Sequence, residues 1–219
     1  KLMLKELGVS IQSGLCEVDG IKGAAQDFEY AKSSKMYALD PAQEAAQEAA
    51  ILTAKENHDS VGGVVLTTAT GVPIGLGEPL YYKLDAILAE AMMGINAAKA
   101  VEIGDGVASS HLKGSENNDE ITLDGFTSNH SGGMLGGISN GDTIIVKTHF
   151  KPTPSIFQEQ QTITTQAEEV KCNLKGRHDP CVAIRGAVVC EAMMALTLAD
   201  MTLLNMGKKM DHLTALYKG

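Results

Sequence analysis

The sequence contains no tryptophan, few other aromatic residues and only two arginines. Aromatic residues make up 4% of the 219 residues, so the core must be aliphatic and rich in Ala, Met, Val and Leu. The arginines are Arg177 and Arg185, and the formal net charge is −9. A chain this acidic argues against a nucleic-acid partner. A hydrophobic content of 44% with 21% charged residues is typical of a globular protein of one or two domains.

The cysteines show neither a C-x-x-C pair nor a spacing that a histidine completes into a zinc site. They are Cys16, Cys172, Cys181 and Cys190. This pattern predicts reduced, mostly buried thiols in a cytoplasmic protein with no metal site. No signal peptide is recognisable. The apolar run 187–199 is interrupted by Glu191 and Asp200 before membrane-spanning length, so no membrane partner is expected.

The most distinctive stretch is residues 131–156, a glycine-rich turn, a strand and a Lys-Pro-Thr-Pro-Ser turn. Because glycine lacks a Cβ, the backbone at positions 132, 133, 136 and 137 can adopt positive φ and approach a ligand closely. The segment 142–150 alternates apolar and polar residues, which predicts a strand. After it come a lysine, two hydroxyls and two rigid prolines, which suit an anion such as phosphate.

The remaining pattern mixes helices and strands irregularly and favours an α+β fold with antiparallel hairpins. Helices are predicted at 2–7, 27–33, 41–57 with Asp40 as N-cap, 80–98 and 187–217, and strands at 9–17, 61–69, 100–103, 142–150 and, as a pair, 157–173. The last helix is apolar on two faces, which predicts burial between layers or at a subunit contact. The polar loop 104–130 is long for a connection and is expected to be mobile or functional.

Two long strings resemble the chorismate synthase family. They are SGGMLGGI followed by KPTPSI, and GRHDPCVAIRGAVVCEAMMALTLAD at 176–200. Nearly every segment from 2 to 204 can be read against that family. Its N-terminal half, with Ser-His-Gly and arginine/serine-rich motifs, has no counterpart, and Lys1 begins inside a predicted helix without a cap or an initiator methionine. Residues 1–219 are therefore interpreted as the C-terminal part of a single chorismate synthase domain.

The resemblance implies helices sandwiched between antiparallel sheets and a homotetramer in the cytoplasm. It also implies a trans-1,4-elimination of phosphate from 5-enolpyruvylshikimate 3-phosphate, giving chorismate in the last common step of the shikimate pathway. Reduced FMN is required without net redox change. NADPH is a possible reductant, used by a separate reductase or by an intrinsic flavin reductase activity. Because the family's acid histidines and most substrate arginines belong to the missing half, these 219 residues alone are expected to be inactive.

The resemblance also assigns site residues. The flavin-contacting positions are Asn96, Ala97, Gly136, Lys151, Pro152, Thr153, Pro154, Ser155 and Arg177. Asp179 is the catalytic residue, acting with the flavin N5 in proton removal. Arg177 would bind the flavin or the substrate phosphate through its planar fork of donors.

Structural interpretations of the same residues remain open. Asn96 suits a helix cap, Gly136 a plain turn, and Arg177 could simply pair with Asp179. His149 is expected to be solvated and His178 to be a supporting donor. Glu102 and Asp105 lie near the ring site by analogy or are structural. A second function is a non-catalytic flavin-binding or dimerisation module that kept the architecture.

Overall fold

The computed structural model describes residues 1–174 and 176–218. The helices are α1 (Leu2–Glu6), α2 (Phe28–Ser33), α3 (Pro41–Glu56), α4 (Leu84–Met93), a 3₁₀ helix (Gly106–His111), α5 (Gly114–Asn117), α6 (Ala183–Met206) and α7 (Met210–Lys218). The strands are β1 (Ser10–Val18), β2 (Ile21–Lys22), β3 (Gly63–Thr70), β4 (Ala98–Ile103), β5 (Ile121–Thr122), β6 (Gly125–Phe126), β7 (Met134–Leu135), β8 (Ile138–Ser139), β9 (Ile144–Phe150), β10 (Gln160–Ile163) and β11 (Glu169–Cys172).

Five strands form one antiparallel sheet in the order β2-β1-β3-β9-β4. Gly63 pairs with both Val18 and Phe150, and Ala98 also pairs with Phe150. The end of β9, the start of β3 and the start of β4 therefore lie at the same end of the sheet. The strand pair predicted at 157–173 is the hairpin β10–β11.

Helices α4 and α6 cover one face of this sheet, and the main hydrophobic core lies between them and the strands. The alternation predicted for β9 is confirmed, because Ile144, Val146, Thr148 and Phe150 are all buried while the residues between them are partly exposed. Each fully buried aliphatic side chain contributes roughly 1.5–3 kcal/mol. A smaller cluster of Ala31, Leu39 and Leu66 covers part of the opposite face. The α+β class with helices packed on an antiparallel sheet is confirmed.

Helix α3 begins as its sequence predicts. The Asp40 side chain accepts a hydrogen bond from Ala42 N at 2.9 Å, and Pro41 occupies the first turn. The same carboxylate accepts from Ala25 N and Ala24 N, and these backbone bonds lower the pKa of Asp40. One capping residue thus joins the helix to the chain that precedes α2.

Helix α4 is shorter at both ends than the predicted 80–98. Residues before it form a turn in which Glu78 N donates to Tyr82 O at 2.8 Å, and Leu80 is 77% exposed. The amide of Leu84 donates to Gly137 O, so the helix starts against the β7–β8 hairpin. It ends at Met93 because Gly94 takes the C-cap position. Apolar periodicity overestimated this helix because it also counted residues of the flanking turns.

The predicted helix 187–217 is two helices, α6 and α7, separated at Gly207. It also starts earlier, at Ala183. The inward face of α6 packs on β1 and β3, and Ser13 Oγ donates to Ala187 O at 2.7 Å. The outward face stays exposed, with Leu196 at 64%. Burial of that outward face between layers or at a subunit contact stays a prediction.

Helix α6 has 24 residues and contains an 18-residue window with a mean hydropathy of 1.7, so by length and composition it could cross a membrane. This corrects the expectation that Glu191 and Asp200 interrupt the apolar run too early. One such helix is a weak indication, because the core helix of a globular protein has the same composition. Met194 and Leu198 are fully buried against the sheet, as in a core helix.

The long loop 104–130 contains regular structure. It includes the 3₁₀ helix, α5 and the β5–β6 hairpin. The Asp119 carboxylate accepts from Ser128 Oγ, His130 N and Ser131 N at 2.7–2.9 Å. Partial burial works against ionisation of Asp119, but these hydrogen bonds outweigh it and lower its pKa to about 2. These hydrogen bonds therefore join the middle of the loop, at Asp119, to its C-terminal end at residues 128–131.

Candidate functional site

The Lys-Pro-Thr-Pro-Ser turn follows β9 directly and lies beside the turn that joins α4 to β4. Lys151 N donates to Ala97 O at 3.0 Å, which places Ala97 next to Lys151. Asn96 is exposed in the same turn. It lies beyond the helix rather than at its cap, since α4 ends at Met93. Asn96, Ala97 and the segment 151–155 thus share one end of the sheet.

Ala97 has a backbone φ of +70°, which non-glycine residues rarely adopt. Such a conformation costs on the order of 1 kcal/mol and is retained where the surrounding structure requires it. Here it turns the chain from α4 into β4 so that the Ala97 carbonyl faces Lys151 N. The strained residue is therefore one of the residues that shape the site.

The segment 177–180 reaches the same end of the sheet through residues 57–62. Val61 N donates to Pro180 O at 2.8 Å, and Ser60 Oγ donates to Thr153 O at 2.7 Å. The Phe157 ring meets the His178 ring edge-on, with centroids 4.9 Å apart. The two motifs of the sequence analysis, separated by more than twenty residues, are thus brought together. The sequence analysis assigned no site role to the linking segment 57–62, which contains a single glycine, Gly62.

Asp179 pairs with Arg185, not with Arg177. Its Oδ2 lies 2.9 Å from Arg185 Nη1 on the first turn of α6, whereas the Arg177 side chain is exposed. The proximity of Asp179 to the start of α6 also suits a carboxylate, because a helix N-terminus carries partial positive charge. Sequence reasoning treated Arg185 only as one of two arginines and missed this contact.

A groove of about 790 Å³ separates the C-terminal half of α4 from the N-terminal half of α6. Asn96 and Arg185 both line it. The other residues that matter for its character are Glu90, Phe150, Val189 and Met193. It is mainly apolar with one cation and one carboxylate, which is the usual composition of a site for a small organic molecule.

Gly136 does not join this cluster within the chain. The β7–β8 hairpin that carries it lies at the start of α4, about 14 Å along the helix from Gly94. Gly132 and Gly133 lie at the start of β9, about 20 Å from its end. A Cβ at Gly132 would come within 2.5 Å of Gly104 N, so close packing explains that glycine. Gly136 is exposed with open space around it, and its role stays a prediction.

The turn 151–155 carries groups that suit an anion such as phosphate. Thr153 Oγ1 is buried and has no hydrogen-bond partner among the described residues. A buried hydroxyl without a partner is costly, so such a group indicates a partner supplied by a ligand or water. The ammonium group of Lys151 adds a cation at the start of the turn, and Pro152 and Pro154 restrict its backbone.

Asp105 and His130 form a pair that the sequence analysis missed. Asp105 Oδ2 lies 2.6 Å from His130 Nδ1, and Asp105 N donates to His130 O at 3.0 Å. The hydrogen bond to Asp105 raises the pKa of His130. The pair lies where β4 ends, at the opposite end of the sheet from Lys151. Asp105 is therefore a structural partner of the loop base and does not adjoin the turn 151–155.

Glu102 has two basic neighbours on the open face of the sheet. Its carboxylate lies 2.9 Å from His149 Nε2 and 3.9 Å from Lys147 Nζ. The expectation that His149 is merely solvated is therefore wrong. All three side chains come from the adjacent strands β4 and β9, and their register explains the contact.

The four cysteines are free thiols, as predicted. Cys181 and Cys190 are buried, whereas Cys16 and Cys172 are partly exposed. Burial raises the pKa of Cys16 and of Cys190 to about 11. These two thiols are thus poor nucleophiles at neutral pH. Within 1–174 and 176–218, no group of three or more His, Cys, Asp or Glu side chains could hold a metal ion.

The fold and the cluster define an α+β protein in which a turn containing a lysine and two hydroxyl side chains lies beside an apolar groove. Comparison with known proteins identifies the family to which this protein belongs. The family model for chorismate synthase matches residues 1–203. The chain belongs to the chorismate synthase family.

Its relatives are similar over the whole of this chain. It is 89% identical over 217 residues to a chorismate synthase of a Sulfurovum species, covering 99% of this chain and 61% of that protein. It is 66% identical over 218 residues to a chorismate synthase of Sulfurimonas denitrificans, covering 100% of this chain and 61% of the relative. The chain thus spans 61% of the length of these curated relatives and corresponds to their C-terminal part.

A solved structure agrees with this assignment. A crystal structure of chorismate synthase superimposes with a TM-score of 0.78 at 28% sequence identity. The match covers 99% of this chain and 64% of that chain. The fold described above is therefore the fold of the family over the corresponding part.

Proposed function

We propose that this chain is the C-terminal part of a chorismate synthase that eliminates phosphate from 5-enolpyruvylshikimate 3-phosphate to give chorismate. The observation that carries the proposal is the meeting of Asn96–Ala97, the turn 151–155 and the segment 177–179 at one end of the sheet. The 89% identity to a chorismate synthase supports it. Nothing favours the non-catalytic module, because that relative covers nearly the whole chain and bears the enzyme's name.

The turn 151–155 is the proposed holder of the FMN phosphate. Lys151 supplies the charge, Thr153 Oγ1 a buried donor without a partner among the described residues, and Ser155 a second hydroxyl. Asn96 and Ala97 adjoin this turn and would contact the flavin. Arg177, exposed beside the cluster, offers its guanidinium to the flavin or to the substrate phosphate. Reduced FMN, when bound, supplies an electron-rich ring without net redox change.

Asp179 is the proposed proton acceptor. As the substrate C–H bond breaks, its electron pair forms a new double bond, and the Asp179 carboxylate accepts the proton. The existing double bond shifts by one position, the C–O bond to phosphate breaks at its far end, and phosphate leaves with the electron pair of that C–O bond. Cations beside the leaving phosphate stabilise its growing charge. The role given to Asp179 requires its carboxylate to face the groove.

Assembly and location are part of the same proposal. The exposed apolar side of α6 is the kind of surface that a symmetric assembly buries, in line with a homotetramer. Free thiols suit the reducing cytoplasm. NADPH is the proposed ultimate reductant. Light scattering of the full-length protein would test the tetramer, and cell fractionation would test the location.

Cofactor titration of the full-length protein tests the site. Lys151→Ala and Arg177→Ala should each weaken FMN binding by roughly tenfold or more, because each removes a charge-assisted hydrogen bond of roughly 1.5–3 kcal/mol. Flavin fluorescence measures the Kd, and chorismate formation is followed separately. Lys32→Ala, on exposed helix α2, is the matched control and should leave the Kd unchanged. Unchanged affinity in both site variants, or no chorismate from the wild type with reduced FMN, would contradict the proposal.

A further inference from the structure

The two arginines of the chain flank Asp179, and one of them contacts its carboxylate. Arg185 Nη1 lies 2.9 Å from Asp179 Oδ2. The position of Arg185 is fixed because α6 is packed tightly at this point. A Cβ on Gly186 would come within 2.7 Å of the Phe150 ring, and Ser13 Oγ donates to Ala187 O. Arg185 therefore projects from a rigid base.

This ion pair contributes little to stability. The Arg185 side chain is 61% exposed and that of Asp179 is 30% exposed. Exposed pairs of this kind stabilise proteins by about 1 kcal/mol or less. Helix α6 is anchored by its buried face, with Met194 and Leu198 fully buried, and does not require the pair. The main effect of the contact is therefore on the position of the Asp179 carboxylate, not on the stability of the fold.

The other contacts of the segment 177–180 hold its backbone and the His178 ring rather than the carboxylate. Val61 N bonds Pro180 O, and the Phe157 ring bears on His178. Arg185 is the cation recorded within 4 Å of the Asp179 oxygens in the part of the chain that is described. Arg185 also lines the α4–α6 groove together with Asn96. One guanidinium thus joins the carboxylate to the wall of the groove.

We propose that Arg185 is a positioning residue that holds the Asp179 carboxylate at the edge of the α4–α6 groove. The inference rests on the proposed function, in which Asp179 accepts the substrate proton. The contact joins Arg185 Nη1 to Asp179 Oδ2, and the rigid, planar guanidinium aims this donor in a way that the flexible ammonium of a lysine does not. Without Arg185 the carboxylate still reaches the site but spends less time in the reactive orientation.

A double-mutant cycle in the full-length protein separates this role from a general one. Arg185→Met should lower kcat on the order of 100-fold with a small change in KM, because misplacement of a reacting group by about 1 Å has that effect. In an Asp179→Asn background the same change should have no further effect, since Arg185 acts through Asp179. Single-turnover assays with excess enzyme make the residual rates measurable. The proposal would be overturned if the losses in kcat of the two single variants added fully in the double variant, or if Arg185→Met raised KM without lowering kcat.

Two further variants and one readout independent of activity complete the test. Arg185→Lys should restore only part of kcat, and Lys32→Met, which removes an ion pair on a cation that is also 61% exposed, should leave it unchanged. Amide hydrogen exchange in the segment 177–182 should accelerate in Arg185→Met and stay at the wild-type rate in Lys32→Met. If the wild type forms no chorismate, the proposed function fails, and the exchange result still tests the Arg185–Asp179 contact. Unchanged exchange, or full rescue by lysine, would overturn the inference.

Discussion

The Asp105–His130 pair shows at the residue scale how a contact sets the charge state of a side chain. The hydrogen bond that His130 Nδ1 donates to the Asp105 carboxylate raises the pKa of His130 above its usual value of 6.5; partial desolvation opposes this shift, and the charges of Asp105 and Asp119 add to it. A raised folded-state pKa means that protonated His130 stabilises the folded state. This contribution is complete below about pH 6.5 and is lost as the pH rises through the folded-state value.

We expect an NMR titration of the full-length protein to show this directly. The pKa of His130 should lie above 6.5 in the wild type and fall toward that value in Asp105→Asn. The stability difference between the two proteins, measured by urea unfolding, should be present at pH 5.5–6.5 and vanish at high pH. His111, an exposed histidine of the same loop, is the internal control. A His130 pKa that does not respond to Asp105→Asn would refute the assignment.

At the scale of elements, the β7–β8 hairpin contains two glycines with different structural roles. Gly136 and Gly137 both have positive φ, +62° and +86°, as a two-residue hairpin turn requires. Gly136 is exposed with open space around it, whereas a Cβ on Gly137 would lie 2.7 Å from Lys83 Cγ and 3.0 Å from Glu78 O. Gly137 therefore permits the hairpin to dock at the start of α4, and Gly136 remains available to a ligand.

Replacing each glycine by asparagine should separate packing from binding. Asparagine tolerates positive φ, so Gly136→Asn should cost well under about 1 kcal/mol, while Gly137→Asn should cost roughly 1–3 kcal/mol through overpacking. Thermal unfolding of the full-length protein should show a lower Tm only for Gly137→Asn. Gly136→Asn should weaken FMN binding if that residue contacts the flavin as predicted. Equal losses of Tm would contradict the division of roles.

At the scale of the whole molecule, charge and extent limit what these 219 residues can do alone. The proposed function would require two phosphate groups, one on FMN and one on the substrate, to be held by a chain with a net charge of −9 and two arginines. The chain spans 61% of its curated relatives. The outward apolar face of α6, with Leu203 57% exposed, is also large for a surface exposed to water. These features agree with the interpretation that the rest of the protein completes the site.

We therefore expect no chorismate from the 219-residue chain assayed with substrate and reduced FMN. The same chain joined to the additional part that its relatives possess should be active under identical conditions. Circular dichroism of both proteins provides the control that the shorter chain is folded. Chorismate formed by the 219 residues alone would refute the expectation, because it would mean that the histidines and arginines which the family resemblance assigns to the additional part are dispensable.

The sequence by itself determined the local structure and the family. The cap at Asp40, the alternating faces of β9 and the motifs at 151–155 and 177–179 depend on residues close together in the chain. Periodicity failed at the ends of α4 and at Gly207, because apolar residues of turns continue a helical pattern without being helical.

Only the tertiary structure decided which motifs meet. The direction and register of β9 bring the turn 151–155 to the segment 177–180 and carry the glycine-rich turn about 20 Å away. The packing of α6 on Phe150 sets Arg185 beside Asp179. Sequence spacing does not predict these contacts, because each depends on how strands and helices that are distant in the chain pack against one another.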